Sequence, residues 1–529
     1  MPVPVSGREM RQGEAMTGGP ARGRRTDLVA VVALLGLVAA VEVAVRGAAA
    51  RPLWYDELWR AYYVSAPAGE LWSALRHANA PVPLGWLALT RGLAAVLGWH
   101  PWVLRLPQLL SLPLLGVGMY ALTRRFTGPV TAFTSALLVT GSGTVVDLGT
   151  QVKPYTVEAL SAVAVLGLWL SRPVGSATTG QRVLRRTLAG ALSLFTVPLA
   201  FLVVPLAVAD VLQAAPGRRP RLRAALEAAP ALVLALGHLL GFVARQSVQR
   251  AGPYWDTQLL AGRGWADGLG FIGRQLVAVA AATPPGVDRT DRNLVHGVAD
   301  GSTLAAWVLA SAYAVALVVG VRVLRRRTDG QLVLLALLGA QLLQIAASAE
   351  RYWPVGPTRN NLFLVPLLTL VPAVGLHTVV RRGGPWRLPA VALLAAAALS
   401  VVSAGSASVL LWRHQGDRRL DDGLTAAVAA AEQLHRAGAV LVVAGPLVRP
   451  GWRYLTGPGA AGAEGGPGTV FLPGEARPLH RSAQAALFVL DIERAAQPAA
   501  LAWLAAGGLC PSTSRSYAGT GRLTLLRPC

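Results

Sequence analysis

Long apolar stretches separated by short polar segments fill most of the chain between residues 28 and 411. Each stretch has roughly the length, about 20 residues, that an α-helix needs to cross a bilayer. The first stretch is long for the apolar region of a signal peptide, so we interpret it as an uncleaved helix. The pattern predicts a helical hairpin at 188–213 that turns near Thr196–Pro198, and spans at 28–46, 104–122, 129–148, 154–171, 224–243, 304–322, 331–348, 361–380 and 388–411. We therefore expect a mainly α-helical, polytopic membrane protein with about eleven crossings.

Clusters of arginine predict the orientation, because the cytoplasmic loops of membrane proteins carry an excess of basic residues. An even number of crossings must separate the cytoplasmic tail 1–27 from the first cluster, because both are assigned to the same side of the membrane, so one of the three apolar segments between them does not span. The segment 82–98 carries Arg91 near its centre, so we predict that it lies along the outer surface, within an outer loop 47–103. A second outer loop is predicted at 244–303. The clusters assigned to the cytoplasm are Arg124–Arg125, Arg172 to Arg186, Arg218 to Arg223, Arg322 to Arg327 and Arg381 to Arg387.

Residues 412–529 follow a different pattern, in which apolar runs of strand length alternate with helical stretches. The runs are AVLVVAG at 439–445, AALFVLD at 485–491 and RLTLLR at 522–527. This alternation predicts a small α/β domain, which the parity of the crossings places outside the cell. Both cysteines, Cys510 and Cys529, fall in this domain. A disulfide is permitted outside the cell, and two unpaired thiols are the alternative.

Composition supports a membrane protein and argues against a nucleic-acid partner. Hydrophobic residues make up 53% of the chain and charged residues only 14%, whereas a soluble domain has about 25% charged residues. The net charge of +23 is accounted for by arginines that punctuate the apolar runs. We expect membrane lipids and no nucleic acid as partners.

One lysine, Lys153, stands among 49 basic residues, in the segment TQVKPYTVEAL at 150–160. Pro154 suits the first turn of a helix, whose N-terminal end carries a positive partial charge. A cation beside a helix N-terminus forms an anion site, and a lipid phosphate is the anion expected at a membrane surface. Tyr155 and Glu158 lie on one face of the same helix. The alternative is that Lys153 only extends toward the membrane interface.

The outer loop carries two adjacent acids in the segment RPLWYDELWRAYY at 51–63, Asp56 and Glu57. A carboxylate held against aromatic rings beside a bilayer is partly desolvated, which raises its pKa toward the range of a general base. The alternative is a solvated acidic pair among aromatic residues that anchor the loop at the interface.

A third outer segment, ERYWPVGPTRNNLFLVP at 350–366, contributes Tyr352 and Arg359. Arg359 comes just before a predicted helix start, with Asn360 or Asn361 as the cap. Arginine suits the bidentate binding of phosphate. The three segments together predict a carboxylate base and two phosphate-binding cations on one side of the membrane.

With these motifs in this order, residues 28–411 resemble the GT-C superfamily of membrane glycosyltransferases. The motifs are the acidic pair after the first helix, the segment NAPVPLGWLALTRGL at 79–93, and a basic residue followed five positions later by an acid. The nearest relatives would be the protein O-mannosyltransferases and the lipid A aminoarabinose transferases of the family-39-like group. The resemblance implies that Asp56 is the essential carboxylate. It assigns the second acid to Glu158, where the family usually has Asp, and the donor-phosphate arginine to Arg359.

The resemblance implies an inverting transfer of a sugar from a polyprenyl phosphate, at the plasma membrane, to a hydroxyl of an extracytoplasmic glycan, lipid or protein. Lys153 and Arg359 would hold the donor phosphate, and Asp56 would take the acceptor proton. No cofactor is required, although acidic residues could bind a divalent ion. The alternatives are a flippase or transporter of lipid-linked sugars and a polysaccharide polymerase or ligase. A transporter would place charges within its spans, where Glu42 is the clearest example.

Overall fold

A computed structural model describes residues 20–76, 78, 81–171, 178–246, 256–288, 304–382, 387–415, 423–457, 469–472, 484–517 and 520–529. Residues 1–19 of the predicted tail 1–27 lie outside the described residues. The same applies to 247–255 and 289–303 of the predicted outer loop, and to the start of the basic cluster at Arg172.

Helices account for most of the described chain. The first part of the chain forms α1 (Pro20–Ala44), α2 (Arg46–Ala50), α3 (Tyr55–Ser65), α4 (Ala68–Arg76), α5 (Leu84–Leu97), α6 (Pro101–Leu104), α7 (Leu106–Arg124), α8 (Pro129–Thr140), α9 (Gly143–Gly149) and α10 (Tyr155–Leu170). The remainder forms α11 (Thr179–Ala191), α12 (Ala200–Gln213), α13 (Arg218–His238), α14 (Trp265–Ala281), α15 (Leu304–Leu324), α16 (Thr328–Ala349), α17 (Val365–Arg382), α18 (Arg387–His414), α19 (Gly423–Arg436), α20 (Arg449–Leu455) and α21 (Gln497–Ala506).

The polytopic fold is confirmed, with fewer full-length spans than the eleven crossings predicted. Within the described ranges, seven helices are long and apolar enough to cross a membrane. An eighth span results if α8 and α9, bent by 56° at Gly141–Ser142, are counted together. The difference arises because the predicted segments 154–171 and 188–213 form shorter helices, α10 and α12, instead of full-length spans.

The segment 188–213 forms a hairpin whose break lies at Thr196–Leu199. The first arm continues α11, on which Arg186, two residues before the segment, pairs with Asp210 of α12 at 2.8 Å between Nη2 and Oδ2, so the arms run antiparallel. About ten residues separate each partner from the break, which corresponds to about 15 Å of helix. The hairpin is therefore too short to cross the hydrocarbon core of a bilayer, which is about 30 Å thick. Its tip instead contacts other elements of the protein.

Helix α5 lies on the hairpin tip. A Cβ atom at Gly85 would stand 3.0 Å from the carbonyl oxygen of Leu194, so the helix and the tip are in close contact. Trp86 and Leu87 belong to a buried cluster that also contains residues of α3 and of the C-terminal domain. At 14 residues, α5 is shorter than a typical span.

The C-terminal domain is a five-stranded sheet of order β2-β1-β3-β5-β4. Its strands are β1 (Val440–Ala444), β2 (Val470–Leu472), β3 (Ala485–Leu490), β4 (Leu509–Tyr517) and β5 (Gly521–Pro528). The first three strands are parallel, with Val442 opposite both Val470 and Leu487, and the last two are antiparallel. A disulfide joins Cys510, the second residue of β4, to Cys529, which follows β5.

The domain and the loop 47–103 share one hydrophobic core, which contains Leu58, Trp86, Trp452 and Phe488. This core places the sheet at the same end of the helix bundle as the acidic pair and the lysine. The prediction that these parts lie on one side of the membrane agrees with this packing.

Cysteine labelling tests whether α5 spans. We expect single cysteines introduced by Glu70→Cys and His100→Cys, both at exposed positions, to react with an impermeant maleimide from the same face. The two native cysteines are joined to each other and give no background. Labelling from opposite faces would show that the segment crosses the membrane.

Candidate active site

Asp56 occupies the second position of α3 and binds two cations. Lys153 Nζ donates to Oδ2 of Asp56 at 2.8 Å. The guanidinium of Arg359 stands 3.7 Å from the same oxygen. Three segments that are far apart in sequence, 51–63, 150–160 and 350–366, thus meet at one carboxylate.

Lys153 lies in a nearly closed environment and not at the water interface. Its side chain is 6% exposed, and its ammonium group lies 4.9 Å from the ring centroid of Trp54 and 5.8 Å from that of Tyr155. Burial, followed by the nearby charge of Arg359, lowers the pKa of Lys153 to about 7 despite the attraction of Asp56. The alternative that the lysine only extends toward the interface does not fit this burial.

A tight backbone turn presents the lysine. The N–H of Lys153 donates to the carbonyl of Gln151 at 2.8 Å, and the N–H of Tyr155 donates to the carbonyl of Lys153 at 2.9 Å. Helix α10 begins at Tyr155, one residue after the proline that was expected to start it. The N–H of Val152 points the other way and donates to Glu57 Oε1 at 2.7 Å.

Glu57 and Arg105 form an ion pair that is fully buried on both sides, at 2.7 Å between Oε2 and Nη2. The five N–H groups of Arg105 make five hydrogen bonds: two to Glu57 and three to the carbonyls of Ala49, Arg51 and Pro52. The carboxylate of Glu57 accepts from Arg105 twice and from the N–H groups of Val152 and Trp54. These four bonds use the lone-pair sites of a carboxylate.

These contacts join Glu57 to the neighbouring segments, whereas the sequence predicted a catalytic role for this residue. Burial alone would raise the pKa of Glu57, but the charge and hydrogen bonds of Arg105, with the charge of Arg51 and the N–H of Val152, hold it below the usual value. A carboxylate in this state has little capacity to accept a proton. It instead fixes α3 against the turn that carries Lys153.

A second buried ion pair lies beside the first. Arg51 is 3.7 Å from Asp147 of α9, and Gln151 donates to the other oxygen of Asp147 at 3.2 Å. The turn 151–154 is thus held from both α3 and α9.

Tyr155 and Glu158, the other residues predicted on α10, are both buried. Glu158 Oε1 accepts the N–H of Val197 at 3.3 Å. The hairpin tip is therefore tied to the helix that follows Lys153.

Sequence reasoning missed two arginines of the site. Arg105 stands alone among apolar residues in the segment WHPWVLRLPQLL, and an isolated charge in such a setting needs a buried partner. Arg60 lies one turn after Asp56, is 8% exposed, and is close enough to Asp56 and Glu158 to interact with their charges. Burial lowers the pKa of Arg60. Its i, i+4 spacing from Asp56 was the available signal.

The loop before α17 is held by Asn361. Its amide donates to the carbonyls of Pro354 and Gly356 at 3.2 and 2.7 Å, and its oxygen accepts from Trp353 Nε1 at 2.8 Å. Asn361 thus organises the loop that presents Arg359. Tyr352, predicted as a substrate-binding residue, is 58% exposed, unlike the buried residues around Asp56.

The described residues contain no group of three or more His, Cys, Asp or Glu side chains that could hold a metal ion. The site around Asp56 is instead rich in cations, namely Lys153, Arg359 and Arg60. Such a set of charges is suited to binding an anionic group.

Neither a protein-family profile nor a curated protein sequence matches the chain. Solved structures do match it. ArnT from Cupriavidus metallidurans bound to undecaprenyl phosphate superimposes with a TM-score of 0.55 at 15% identity, covering 94% of this chain and 97% of ArnT. The apo form of the same protein gives a TM-score of 0.50 at 14% identity, with the same coverage. The oligosaccharyltransferase AglB from Archaeoglobus fulgidus, in complex with an inhibitory peptide and a dolichol-phosphate, gives 0.41 at 13% identity, covering 80% of this chain and 62% of AglB.

The likeness to ArnT extends over nearly the whole length of both chains. ArnT, a lipid A aminoarabinose transferase, is a GT-C glycosyltransferase. The predicted fold, a polytopic helix bundle followed by a small C-terminal sheet domain, is therefore confirmed, and ArnT has a similar fold.

Breaking the buried pair should destabilise the protein. Arg105→Met leaves Glu57 charged and buried without its partner, which costs about 3–5 kcal/mol. We expect a clear loss of thermal stability in detergent, part of which the double variant Glu57→Gln/Arg105→Met recovers. Arg494→Met, which removes an exposed pair with Asp491, should cost less than about 1 kcal/mol. Equal effects of Arg105→Met and Arg494→Met would contradict the assigned role.

Proposed function

We propose that the protein transfers a sugar from a polyprenyl-phosphate donor to a hydroxyl group of an extracytoplasmic acceptor, with Asp56 as the general base. The observation that carries this proposal is the convergence of Lys153 and Arg359 on Oδ2 of Asp56. Two cations and one carboxylate supply the two functions that such a reaction needs, phosphate binding and proton removal. The ArnT structure with bound undecaprenyl phosphate supports a lipid phosphate as the anion.

The donor phosphate would compete with Asp56 for the two cations. Without a donor, Lys153 and Arg359 neutralise the carboxylate and reduce its basicity, because a nearby cation favours the ionised form. A phosphate that takes up both cations leaves the carboxylate freer to accept a proton. Donor binding would thereby prepare the base for the acceptor.

In the transfer step, the acceptor oxygen forms a bond to the anomeric carbon as the bond from that carbon to the phosphate oxygen breaks. The electron pair of the broken bond leaves with the polyprenyl phosphate, whose growing negative charge Lys153 and Arg359 stabilise. The proton of the acceptor hydroxyl passes to Asp56. A single displacement of this kind inverts the anomeric configuration.

The positions of the basic clusters and of the C-terminal domain support an extracytoplasmic site at the plasma membrane. The arginine-rich ends of the helices are expected in the cytoplasm, and Asp56, Lys153 and the sheet domain share the other end of the bundle. The acceptor would be a glycan, a lipid or a protein that reaches this face.

Substitution of the three charged residues tests the proposal. Asp56→Asn removes the base and should lower turnover by about 10²–10⁴-fold. Lys153→Ala loses a charge-assisted contact of about 1.5–3 kcal/mol, which corresponds to about tenfold or more in turnover. Lys153→Arg should retain part of the activity, and Arg359→Ala should resemble Lys153→Ala.

The assay measures product formed from polyprenyl-phosphate sugars, per amount of folded protein. Folded protein is quantified by size-exclusion chromatography, because Lys153 is buried and its loss will also affect stability. The control is Arg351→Ala, which removes an exposed pair with Asp256 and should leave turnover unchanged. Normal turnover by Lys153→Ala would refute the assignment.

Donor binding should weaken as the pH rises. The pKa of Lys153 is lowered to about 7, so the ammonium form that binds phosphate predominates below pH 7 and is lost above it. We expect the KM for the donor to rise by up to about tenfold per pH unit above this value. In Lys153→Arg the dependence should be weaker, because a guanidinium keeps its charge. A donor KM that stays constant from pH 6 to 9 in the wild type would contradict the prediction.

A further inference from the structure

Helix α3, which carries Asp56, contacts the C-terminal domain on the face opposite the buried pair. Trp59 Nε1 donates to the carbonyl oxygen of Leu447, in the loop that follows β1. One turn further on, Tyr62 accepts a hydrogen bond from Arg453 of α20 at 3.3 Å. Leu58 packs closely on α20, since a Cβ atom added at Gly451 would stand 3.3 Å from the Cβ atom of Leu58.

The loop 445–448 is itself held by a carboxylate of its own domain. Glu493 lies just after β3, is 8% exposed, and its Oε1 accepts the N–H of Leu447 at 2.8 Å. The N–H of Val448 also interacts with this carboxylate, although burial has the larger effect and raises the pKa of Glu493.

Gly445 is what permits this approach. Its φ of 111° lies in a region that favours glycine. A Cβ atom at this position would stand only 2.2 Å from Oε2 of Glu493. The backbone and the carboxylate therefore fit together only with glycine at position 445.

The space between Gly445 and Glu493 is a crevice at the carboxyl ends of β1 and β3. These two parallel strands are neighbours in the sheet, and β2, the strand that follows β1 in the chain, lies on the other side of β1. In open α/β sheets such a position typically receives a ligand, and loop N–H groups there often bind phosphate. Here the carboxylate of Glu493 accepts the loop N–H of Leu447, as a bound phosphate would in such a sheet. The outer side of the same loop faces α3 instead of solvent.

We propose that the C-terminal domain positions the catalytic helix, with Glu493 and Trp59 as positioning residues that act through the loop 445–448. The Glu57–Arg105 pair fixes one side of α3, and the loop fixes the other, so that Asp56 is held at its distance from Lys153. This inference rests on the proposed function, since it concerns the orientation of the proposed base.

The test compares Trp59→Phe, Glu493→Gln and their double variant with the wild type in the full chain. Trp59→Phe keeps the aromatic ring and removes the N–H donor. We expect each single variant to lower kcat by about tenfold, since small displacements of a catalytic group are costly. At pH 6, where Lys153 carries its charge, the donor KM should change much less than kcat, because Lys153 and Arg359, the two cations proposed to hold the donor phosphate, lie on other segments than α3.

Both residues act through one loop, so their effects should not add. The double variant should therefore have about the same kcat as the more impaired of the two single variants. Controls are Arg494→Gln, next to Glu493 on the surface, where its side chain pairs with Asp491, and Trp503→Phe on α21. Both controls should keep the wild-type kcat.

A second readout does not require turnover. The chain contains a single lysine, so labelling with lysine that is enriched in ¹³C at Cε gives one side-chain NMR resonance, that of Lys153. If Asp56 moves relative to Lys153, the titration midpoint of this resonance should shift in Trp59→Phe and in Glu493→Gln. It should stay at the wild-type value in both controls. A merely structural role would lower thermal stability without moving this midpoint.

An unchanged kcat in Trp59→Phe, additive losses in the double variant, or an unshifted Lys153 titration would each overturn the positioning role. Failure of the proposed function has a different signature, in which the wild type transfers no sugar from any polyprenyl-phosphate donor. In that case the lysine titration still decides whether the C-terminal domain sets the geometry of Asp56 and Lys153.

Discussion

Arg105 and Glu57 meet in a part of the protein from which water is excluded. Two charges in such a place are tolerated only when every donor and acceptor is satisfied. Here the guanidinium makes five hydrogen bonds and the carboxylate accepts four. The partners belong to α3, to the chain before it, to the turn that carries Lys153 and to the start of α7. A shift in any of these segments would leave a buried charge or N–H group unmatched.

The neighbouring acids Asp56 and Glu57 illustrate how environment separates two chemically similar groups. Glu57 is enclosed and fully bonded, whereas the side chain of Asp56 is 12% exposed and binds cations that a ligand could take over. Lys153 is attracted by Asp56, but burial and the charge of Arg359 oppose its protonation. The site thus gathers positive charge around one carboxylate, an arrangement that an anionic ligand would stabilise.

The C-terminal domain contributes packing and hydrogen bonds to this end of the bundle. Glu493 lies at the carboxyl ends of the parallel strands, and the loop that its carboxylate holds contacts α3 through Trp59. The domain and the loop 47–103 share one core, so neither is an independent appendage. The helix that carries Asp56 is therefore supported on two faces by parts of the chain that are remote in sequence.

Much of the architecture could be read from residue patterns. Apolar length located the long helices, and strand-length runs identified the sheet domain. These properties are local, because each depends on the composition of one segment and its transfer from water to lipid. The grouping of Asp56, Lys153 and Arg359 was also predicted, through a family resemblance and the placement of their loops on one side.

The partners of the buried charges could not be read in this way. Arg105 and Glu57 are 48 residues apart, Val152 and Glu57 are 95 apart, and Trp59 and Leu447 are 388 apart. Whether a carboxylate serves as a base or as a structural anchor depends on which donors reach it and on how much water remains. Hydrophobic length is a property of a segment, whereas burial and hydrogen-bond partners arise only when distant segments pack together.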